Sequence, residues 1–556
     1  MAAKTPNATR RDPIWLEGPL PDLLIGAGGG YLLSVPLLWL VARGAVASDW
    51  SFTAIWIIAI LINGPHYGAT LLRVYEQREE RHRYALFAGW ATLLLAAVFL
   101  AGLYEPTVGA LLVTIYFSWS PWHFAGQNYG ISLMFLRRAG VDVPARAKRL
   151  LHASFALSFA LAFLALHVEG STSLQAPPRS ELYTDPSLIR LGIPNAVAAP
   201  LFFGFGIAYV TCVAAALAML RRHASARELA PVCPLVLSQA LWFAVPSLLD
   251  ITHAWSARAL AFTAIWISAA HSLQYLWVAF HYAKRSATHT QLPNYLLKAA
   301  LAGNAAIIVP GILFAPSLLG SSLSWDQGLS TLIFAAINLH HFMLDGAVWK
   351  LRDGRVARAL LREGDGRPQP QRDARPVPRW QRPSTAIWAV CAACFAIELG
   401  ELARHQSQSL GAERLAAKLF DALEWLGRDH PVQRIRLGRA LLEQRDYAAA
   451  RVQFEKSARS LPTVAAWGGL GRAFEAERDL QCAADAYEEG LAVDPGDVAL
   501  LRSAGSVRLQ LGQPQLAEAW LAQALEREPN HEWTRRALER ARRARGEPGA
   551  PTPPKT

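Results

Sequence analysis

Residues 338–355 read NLHHFMLDGAVWKLRDGR, and they place two histidines and an aspartate in an apolar segment that closes at Lys350 and Arg352. A segment of this length spans a bilayer core of about 30 Å as a helix. Polar and ionisable side chains are costly in hydrocarbon, so their presence in a membrane helix indicates a function. The fold class therefore depends on how many similar segments the chain contains.

Apolar segments recur along the 556 residues, of which 52% are hydrophobic and only 18% charged. The pattern predicts an all-α fold: a polytopic transmembrane helical bundle of about 11 spans, followed by a helical-repeat domain. The predicted spans are 21–43, 51–73, 84–104, 107–136, 149–169, 195–220, 230–250, 256–283, 296–319, 328–350 and 384–403.

The distribution of Lys and Arg predicts the topology. Cationic loops such as 73–83, 137–149 and 350–382 alternate with charge-poor loops along the chain. By the positive-inside rule, the N-terminus is cytosolic and the region after the last span is extracytoplasmic, in a bacterial inner membrane. The net charge of +12 is accounted for by these loops. We therefore expect a lipid bilayer, and no nucleic acid, as the partner of the basic residues.

The composition divides the chain into six regions. The polar N-terminus lacks the short apolar core and small-residue cleavage site of a signal peptide. The regions are a cytosolic tail (1–20), the transmembrane bundle with buried histidines (21–350), a cytosolic Arg/Pro-rich linker (351–383), the last transmembrane helix (384–403), a repeat domain (404–545) and a disordered tail (546–556).

A period of about 34 residues begins near residue 430. Pairs that end in glycine recur at Leu437-Gly438, Leu470-Gly471 and Ala504-Gly505. Larger residues recur at Phe454, Tyr487 and Leu521, and each unit ends at a proline: Pro462, Pro495 or Pro529. This pattern matches the tetratricopeptide (TPR) repeat, in which small residues let paired helices approach and bulky residues fill the gap. A protein or peptide partner is the expected ligand of such a stack.

Four predicted spans carry buried histidines at similar depth. His66, His123, His271 and His341 precede the next cationic residue by 7, 14, 13 and 9 residues, which places them about 10 to 21 Å from the cytosolic edge. Helices that bring imidazoles to one level can share a site in their bundle. We predict a metal site from these residues, with His340 as an alternative to His341 because adjacent residues point about 100° apart.

Polar residues accompany each histidine at helical spacing. Metal-bound imidazoles usually donate their second N–H to an amide, carbonyl or carboxylate. The candidates for this role are Asn63, Gln274, Asn338 and Asp345. The candidates for lining a catalytic pocket are Gln127, Tyr129 and Tyr275.

A nitrogen and oxygen donor set without thiolate favours iron over zinc or copper. Haem is disfavoured because the histidines are spread singly over four helices. The motifs GPHYGAT (64–70) and WHFAGQN (122–128) resemble the P-H-G-x-x-D and H-F-G-x-x-D motifs of Brp/Blh-type β-carotene-cleaving membrane dioxygenases. In this chain Tyr67 follows the first histidine, and Thr70 and Asn128 stand where the family has acids. The resemblance implies non-haem iron held by His66 and His123, with His271 and His341 as further ligands.

We therefore expect an integral membrane oxygenase that acts on a lipophilic small molecule, with an extracytoplasmic TPR domain. Two other functions fit the same residues. A transporter could use the histidines and Asp345 as an ion or proton path. A membrane-anchored assembly factor or scaffold would act mainly through its TPR stack. A lipid-linked sugar transferase is disfavoured, because the first external loop, GAVASDW, has a single acid, Asp49.

Overall fold

The computed structural model describes residues 14–42, 54, 56–76, 78–170, 188–286, 291–316, 318–351, 353–361 and 385–546. These residues form helices and no strand, with an isolated bridge between Val168 and Ile193. The prediction of an all-α chain is confirmed. The chain forms two compact units: the first lies within 1–176, 186–310 and 331–402, and the second within 177–185, 311–330 and 403–556.

Most of the first unit is built from long helices. These are α1 (Pro19–Pro21), α2 (Gly29–Ala42), α3 (Gly64–Tyr75), α4 (Arg78–Arg83), α5 (Thr92–Tyr104), α6 (Pro106–Arg138), α7 (Ala145–His167), α8 (Asn195–Leu220), α9 (Ala226–Leu229), α10 (Val232–Gln239), α11 (Val245–Ile251), α12 (Ala257–Arg285), α13 (Leu292–Leu313), α14 (Leu329–Val348), α15 (Gly354–Leu361) and α16 (Thr385–Ser409). Short π-helical turns adjoin several of them, at Asp22–Gly26, Ala59–Asn63, Leu86–Ala91 and Ala240–Ala244.

Within the described residues, each predicted span overlaps a helix or a helix with its adjoining turn. By length and composition, eight helices of the described residues are able to cross a membrane, or nine if the bent pair Pro19–Gly26 and Gly29–Leu40 is one span. Two long helices, α6 and α12, are not among them. They are more polar because α6 carries His123, Gln127 and Asn128, and α12 carries His271 and Gln274. Membrane insertion remains a prediction.

Glycines bring α3 and α13 into backbone contact. A Cβ atom added to Gly68 would overlap the carbonyl oxygen of Ala299, and one added to Gly303 would overlap the carbonyl oxygen of Gly64. Asn304 of α13 donates its side-chain amide to the carbonyl oxygen of Ile60 at 3.3 Å. Small residues at such crossings allow close van der Waals packing of the two helices. The contact fixes the position of α3, and therefore of His66.

Residues 14–16, which we assigned to the N-terminal tail, are instead buried. The guanidinium of Arg138 donates to the carbonyl oxygens of Ile14 at 3.1 Å, Trp15 at 2.5 Å and Leu360 at 2.6 Å. Leu360 belongs to α15, which begins the predicted Arg/Pro-rich linker and buries one side of its short helix. A single buried arginine thus joins two segments that the sequence suggested were solvated. Residues 1–13 and 362–384 lie outside the described residues.

Glu17, which follows the buried residues 14–16, contacts two basic residues of α12. His281 Nδ1 lies 3.0 Å from Glu17 Oε1, and Lys284 Nζ lies 3.0 Å from Oε2. The hydrogen bond from His281 is the largest cause that lowers the pKa of Glu17, which falls to about 2. His281 therefore acts as a structural partner of the N-terminal segment, as its position near the end of α12 indicates.

The second unit contains stacked helical pairs. Its helices are α17 (Glu413–Trp425), α18 (Pro431–Glu443), α19 (Tyr447–Ser460), α20 (Val464–Ala476), α21 (Leu480–Val493), α22 (Val498–Gln510), α23 (Pro514–Arg527) and α24 (Glu532–Ala544). Pro462, Pro495 and Pro529 each follow the second helix of a pair by two residues. Asp446 and Asp479 cap the starts of α19 and α21 by accepting backbone N–H groups, which satisfies donors that the helix cannot.

The repeated small and bulky residues meet as the sequence pattern predicts. A Cβ on Gly438 would lie 2.8 Å from the ring of Phe454, one on Gly471 would lie 2.5 Å from the ring of Tyr487, and one on Gly505 would lie 2.7 Å from Leu521. Each bulky side chain therefore occupies the space that its glycine leaves open. The TPR-like repeat fold is confirmed.

Residues 311–330, which lie inside the predicted 21–350 bundle, cluster with the second unit. The guanidinium of Arg428 lies 3.3 Å from the centre of the Trp325 ring. The carboxylate of Asp326 accepts the backbone N–H of Gln433 at 3.1 Å, at the start of α18. These contacts are between residues distant in sequence, so hydropathy alone did not reveal them.

The glycine contact between α3 and α13 generates a stability prediction. Gly303→Val forces these helices apart and should lower the stability of the full-length protein by about 1–3 kcal/mol, as overpacking does. Gly204→Val on α8 is the matched control, because its added Cβ meets no described atom within 4 Å. Thermal unfolding of the two purified variants is compared with that of the wild type. Equal midpoints for both variants would show that the contact is dispensable.

Candidate metal centre

Four helices of the first unit bring four imidazoles together. His66 lies on α3, His123 on α6, His271 on α12 and His341 on α14. Their ring centres form a closed quadrilateral, with sides of 5.0 Å (His66 to His271), 5.0 Å (His271 to His123), 5.1 Å (His123 to His341) and 4.2 Å (His341 to His66). One ring nitrogen from each of His66, His271 and His341 lies within 4.8 Å of the other two.

Aromatic side chains hold these imidazoles in place. Phe124 stacks on His271 with ring centres 3.9 Å apart, and Phe342 stacks on His123 at 4.2 Å. Tyr275 meets His66 edge to face at 4.5 Å. Each stacking residue adjoins another histidine of the group in sequence. The helices that supply the imidazoles therefore also supply the walls that orient them.

Several buried ring nitrogens lack a hydrogen bond. They are Nδ1 of His66, Nε2 of His123, both nitrogens of His271 and Nε2 of His341. Buried polar atoms in proteins are normally paired, because leaving one unpaired costs about 1–3 kcal/mol. Because one nitrogen from each of several of these rings lies close to the others, a single shared cation would satisfy them. The nitrogen lone pairs suit a transition metal ion.

Asp345 adds an anionic oxygen to this cluster. Its Oδ2 lies 3.2 Å from Nε2 of His341 and 3.8 Å from Nε2 of His123. These three atoms also lie within 4.8 Å of one another. A carboxylate oxygen and an unprotonated imidazole nitrogen repel each other at 3.2 Å unless a proton or a cation lies between them. A metal held at about 2.1 Å by each donor meets that requirement.

Hydrogen bonds from Thr70 and Tyr275 orient His341 and Asp345 within the cluster. Thr70 Oγ1 lies 2.8 Å from Nδ1 of His341 and 3.2 Å from Oδ1 of Asp345. Tyr275 donates its hydroxyl to the same Oδ1 at 2.9 Å. If Nδ1–H of His341 donates to Thr70, then Thr70 donates to Asp345, and Nε2 of His341 keeps its lone pair for a metal. Trp349 Nε1 completes the chain by donating to Tyr275 at 3.2 Å.

The structure places the other residues predicted to support the site as follows. Asn63 accepts a hydrogen bond from Ser272 at 3.0 Å rather than from His66. Gln127 donates to the carbonyl oxygen of His271 at 3.1 Å and lies 3.3 Å from the side-chain oxygen of Gln274. Asn338 accepts the hydroxyl of Tyr67 at 2.9 Å. Gln127 and Gln274 border the cluster. Asn338 instead contacts Tyr67, whose ring centre lies 5.8 Å from that of His341.

Two predicted residues lie away from the cluster. Tyr129 packs on His152, with ring centres 5.0 Å apart, and on Phe155 of α7. His340 Nε2 lies 2.9 Å from Thr92 Oγ1 and 3.3 Å from Tyr75 Oη. Of the two adjacent histidines of α14, His341 therefore belongs to the cluster and His340 does not. Tyr129 is a packing residue of the α6–α7 contact.

Thr70, Tyr67 and the stacking rings of Phe124 and Phe342 were not predicted as parts of the site. One signal was available: Thr70 follows His66 by four residues and so shares its helix face. The rings carry no such signal, since apolar aromatic residues are common in any buried helix.

Comparisons with known proteins concern the second unit most directly. Residues 503–531 match the tetratricopeptide repeat family. No curated protein matches the chain. Among solved structures, the crystal structure of the APC/C hetero-tetramer Cut9–Hcn1 is similar over 85% of this chain and 99% of that chain, at 16% identity and a TM-score of 0.21. A TM-score this low carries no argument.

The tetratricopeptide match supports a protein-interaction role for the second unit. None of these comparisons connects the chain with the Brp/Blh-type dioxygenases. The inference of a metal centre therefore depends on the geometry of the imidazoles and Asp345 and not on a relative.

This geometry predicts which histidine substitutions remove the metal. Elemental analysis of purified full-length protein should find close to one transition metal ion per chain, and His271→Ala should abolish it. His340→Ala is the matched control, because His340 bonds to Thr92 outside the cluster. A wild-type protein that is folded, metal-free and unable to take up added iron, zinc or copper would contradict the assignment.

Proposed function

We propose that this chain is a multi-pass membrane protein whose TPR unit binds a protein partner outside the cytoplasm of a bacterium. The observation that carries the protein-binding part is the set of stacked helical pairs from α18 to α23, with the tetratricopeptide match at 503–531. TPR stacks present extended surfaces that suit peptide and protein ligands. The alternation of cationic and charge-poor loops supports the proposed orientation.

We infer a second function for the first unit, metal-dependent chemistry, from the imidazole quadrilateral. His66, His123, His271 and His341 would hold the ion, and Asp345 either ligates it or bonds the imidazoles. Iron suits this nitrogen and oxygen donor set. When bound, iron would supply the redox chemistry with O₂ that the protein's own side chains lack. The substrate class that fits an apolar, helical surrounding is a lipophilic small molecule.

The residues of the chain have distinct tasks in this proposal. Tyr275 and Thr70 fix the Asp345 carboxylate by donating hydrogen bonds to its Oδ1. Phe124 and Phe342 shield the imidazoles from water by stacking on them. A dry site strengthens electrostatic interactions and protects reactive states from side reactions. Tyr275 is also placed to hold or pass a proton at its hydroxyl oxygen, between Asp345 and Trp349.

A transporter is the weaker alternative for the first unit. A proton path needs polar groups that continue from the cluster toward both faces of the membrane. In the described residues, the hydroxyls of Thr70 and Tyr275 instead both donate to one oxygen of Asp345. Such a compact network suits a binding centre better than a conduit.

The hydrogen bond of Thr70 to the cluster generates a prediction about metal affinity. Thr70→Val keeps the side-chain volume and removes the hydroxyl that contacts His341 and Asp345. Loss of such a partner of a ligand typically weakens metal binding about 10- to 100-fold. Competition of the purified variant with a calibrated chelator measures the change. Thr92→Val, which removes the hydroxyl beside His340, should leave the affinity unchanged.

The TPR proposal predicts a partner that depends on intact repeats. Gly469→Leu would collide with the ring of Phe454, which fills the core of α19 and α20, and should abolish capture of the partner. Ala492→Leu introduces the same side chain at an exposed site on α21 and should leave capture intact. Crosslinking in cells, followed by quantitative mass spectrometry of both variants at matched abundance, measures the effect.

Proteins enriched equally by wild type and by Gly469→Leu do not use the repeats. If every captured protein behaves in this way, the second unit has no partner of the kind proposed.

A further inference from the structure

A cavity of 330 Å³ lies between α6 and α14 and reaches the imidazole cluster. Its volume falls within the range of small-molecule sites, which are mostly apolar with a few polar groups. The lining is aromatic and aliphatic along most of its length and polar at one place. Its apolar lining includes Trp119, Trp122, Met134, Phe342, Leu351 and Leu360.

Glycines keep this cavity open. Gly126 and Gly130 on α6 and Gly346 on α14 line it, and a Cβ added to any of them would meet no described atom within 4 Å. Gly126 and Gly346 are exposed, as are Trp119 and Trp122 beside them. The cavity therefore has an open side between the two helices. In a membrane, that side would face lipid.

The polar groups of the cavity are those of the metal centre. His123, Asp345, Tyr275 and Gln127 contribute to its wall. Along α6, the lining runs from Trp119 to Met134, a distance of about 22 Å at 1.5 Å per residue. A ligand that fills this space is long and apolar, with its polar part at the level of His123. Leu351 and Leu360 also line the cavity.

We propose that the cavity binds a lipid-soluble molecule, with an elongated apolar body and one neutral polar group, that enters from the bilayer between α6 and α14. The inference rests on the proposed metal-dependent function and defines its substrate class. A neutral polar group is specified because an ionised group would be costly to bury among the apolar residues that line most of the cavity. The polar group would lie against Gln127, Tyr275 and the Asp345 carboxylate, beside the imidazoles.

A packed helix is the competing occupant, since Gly126 and Gly130 have the four-residue spacing of helix contacts in membranes. A helix packs across a shallow groove, whereas this space extends inward to His123 and Asp345, which are nearly buried. A helix would leave that inner part empty and its polar groups unpaired, so we favour the small molecule.

The test uses full-length protein in lipid nanodiscs and a photoreactive probe, a long-chain alcohol that carries a diazirine. After illumination, mass spectrometry maps the labelled residues. Labelling should concentrate on α6 and α14 around the cavity and should fall with excess unlabelled hexadecanol. Gly130→Leu and Gly346→Leu place a side chain in the cavity and should reduce labelling about tenfold or more, the scale on which a pocket rejects ligands by shape.

Gly204→Leu on α8 is the matched control, because its added side chain also has open space, away from the cavity. It should label as the wild type does. Metal content is measured on each variant, both to show that the fold persists and to separate the two proposals. Specific labelling of a metal-free protein would support the cavity and defeat the metal centre.

Labelling spread over all apolar helices and unchanged by Gly130→Leu would overturn the proposal. So would crosslinks between two copies through α6 that disappear in Gly130→Leu, since they would show that a helix occupies the groove.

Discussion

The backbone contact between α3 and α13 is the constraint on which the first unit depends. Gly64, Gly68 and Gly303 let these helices approach until no side chain fits between them. His66 lies between two of the glycines in sequence, so its distance from the remaining imidazoles is fixed by the same contact. A shift of α3 outward by the thickness of one methyl group would open the quadrilateral at the side where the rings are 4.2 Å apart.

The polar residues of this cluster can be buried without a large cost in free energy only because they satisfy one another. An isolated carboxylate or imidazole in an apolar helical bundle is expensive to bury. Here Thr70 and Tyr275 satisfy one oxygen of Asp345, and the other oxygen faces two imidazole nitrogens. A cation at the centre would complete the set of partners. Removal of one member therefore affects the others, which is the property expected of a centre rather than of separate packing residues.

The sequence was sufficient for the helices and for the repeat pattern, because both follow from periodic hydropathy and from glycine, proline and aromatic spacing. It also brought His66, His123, His271 and His341 into one proposal through their common depth. Tyr129 was misplaced for a geometric reason: it follows His123 by six residues, which is about 240° around the helix. Asn63 does not support His66, because its side-chain oxygen accepts a hydrogen bond from Ser272 of α12, a contact between residues distant in sequence. The buried segment 14–16 depends on Arg138, a contact that no local pattern announces.

The donors of the cluster come from widely separated parts of the chain, the first at residue 66 and the last at residue 345. During synthesis, the three helices that carry His66, His123 and His271 are made before α14, which supplies His341 and Asp345. Until that point the early imidazoles have neither Asp345 nor a complete set of neighbours. If the first unit binds the proposed metal ion, loading would be a late event in biogenesis, because a chain interrupted before α14 would lack both His341 and Asp345.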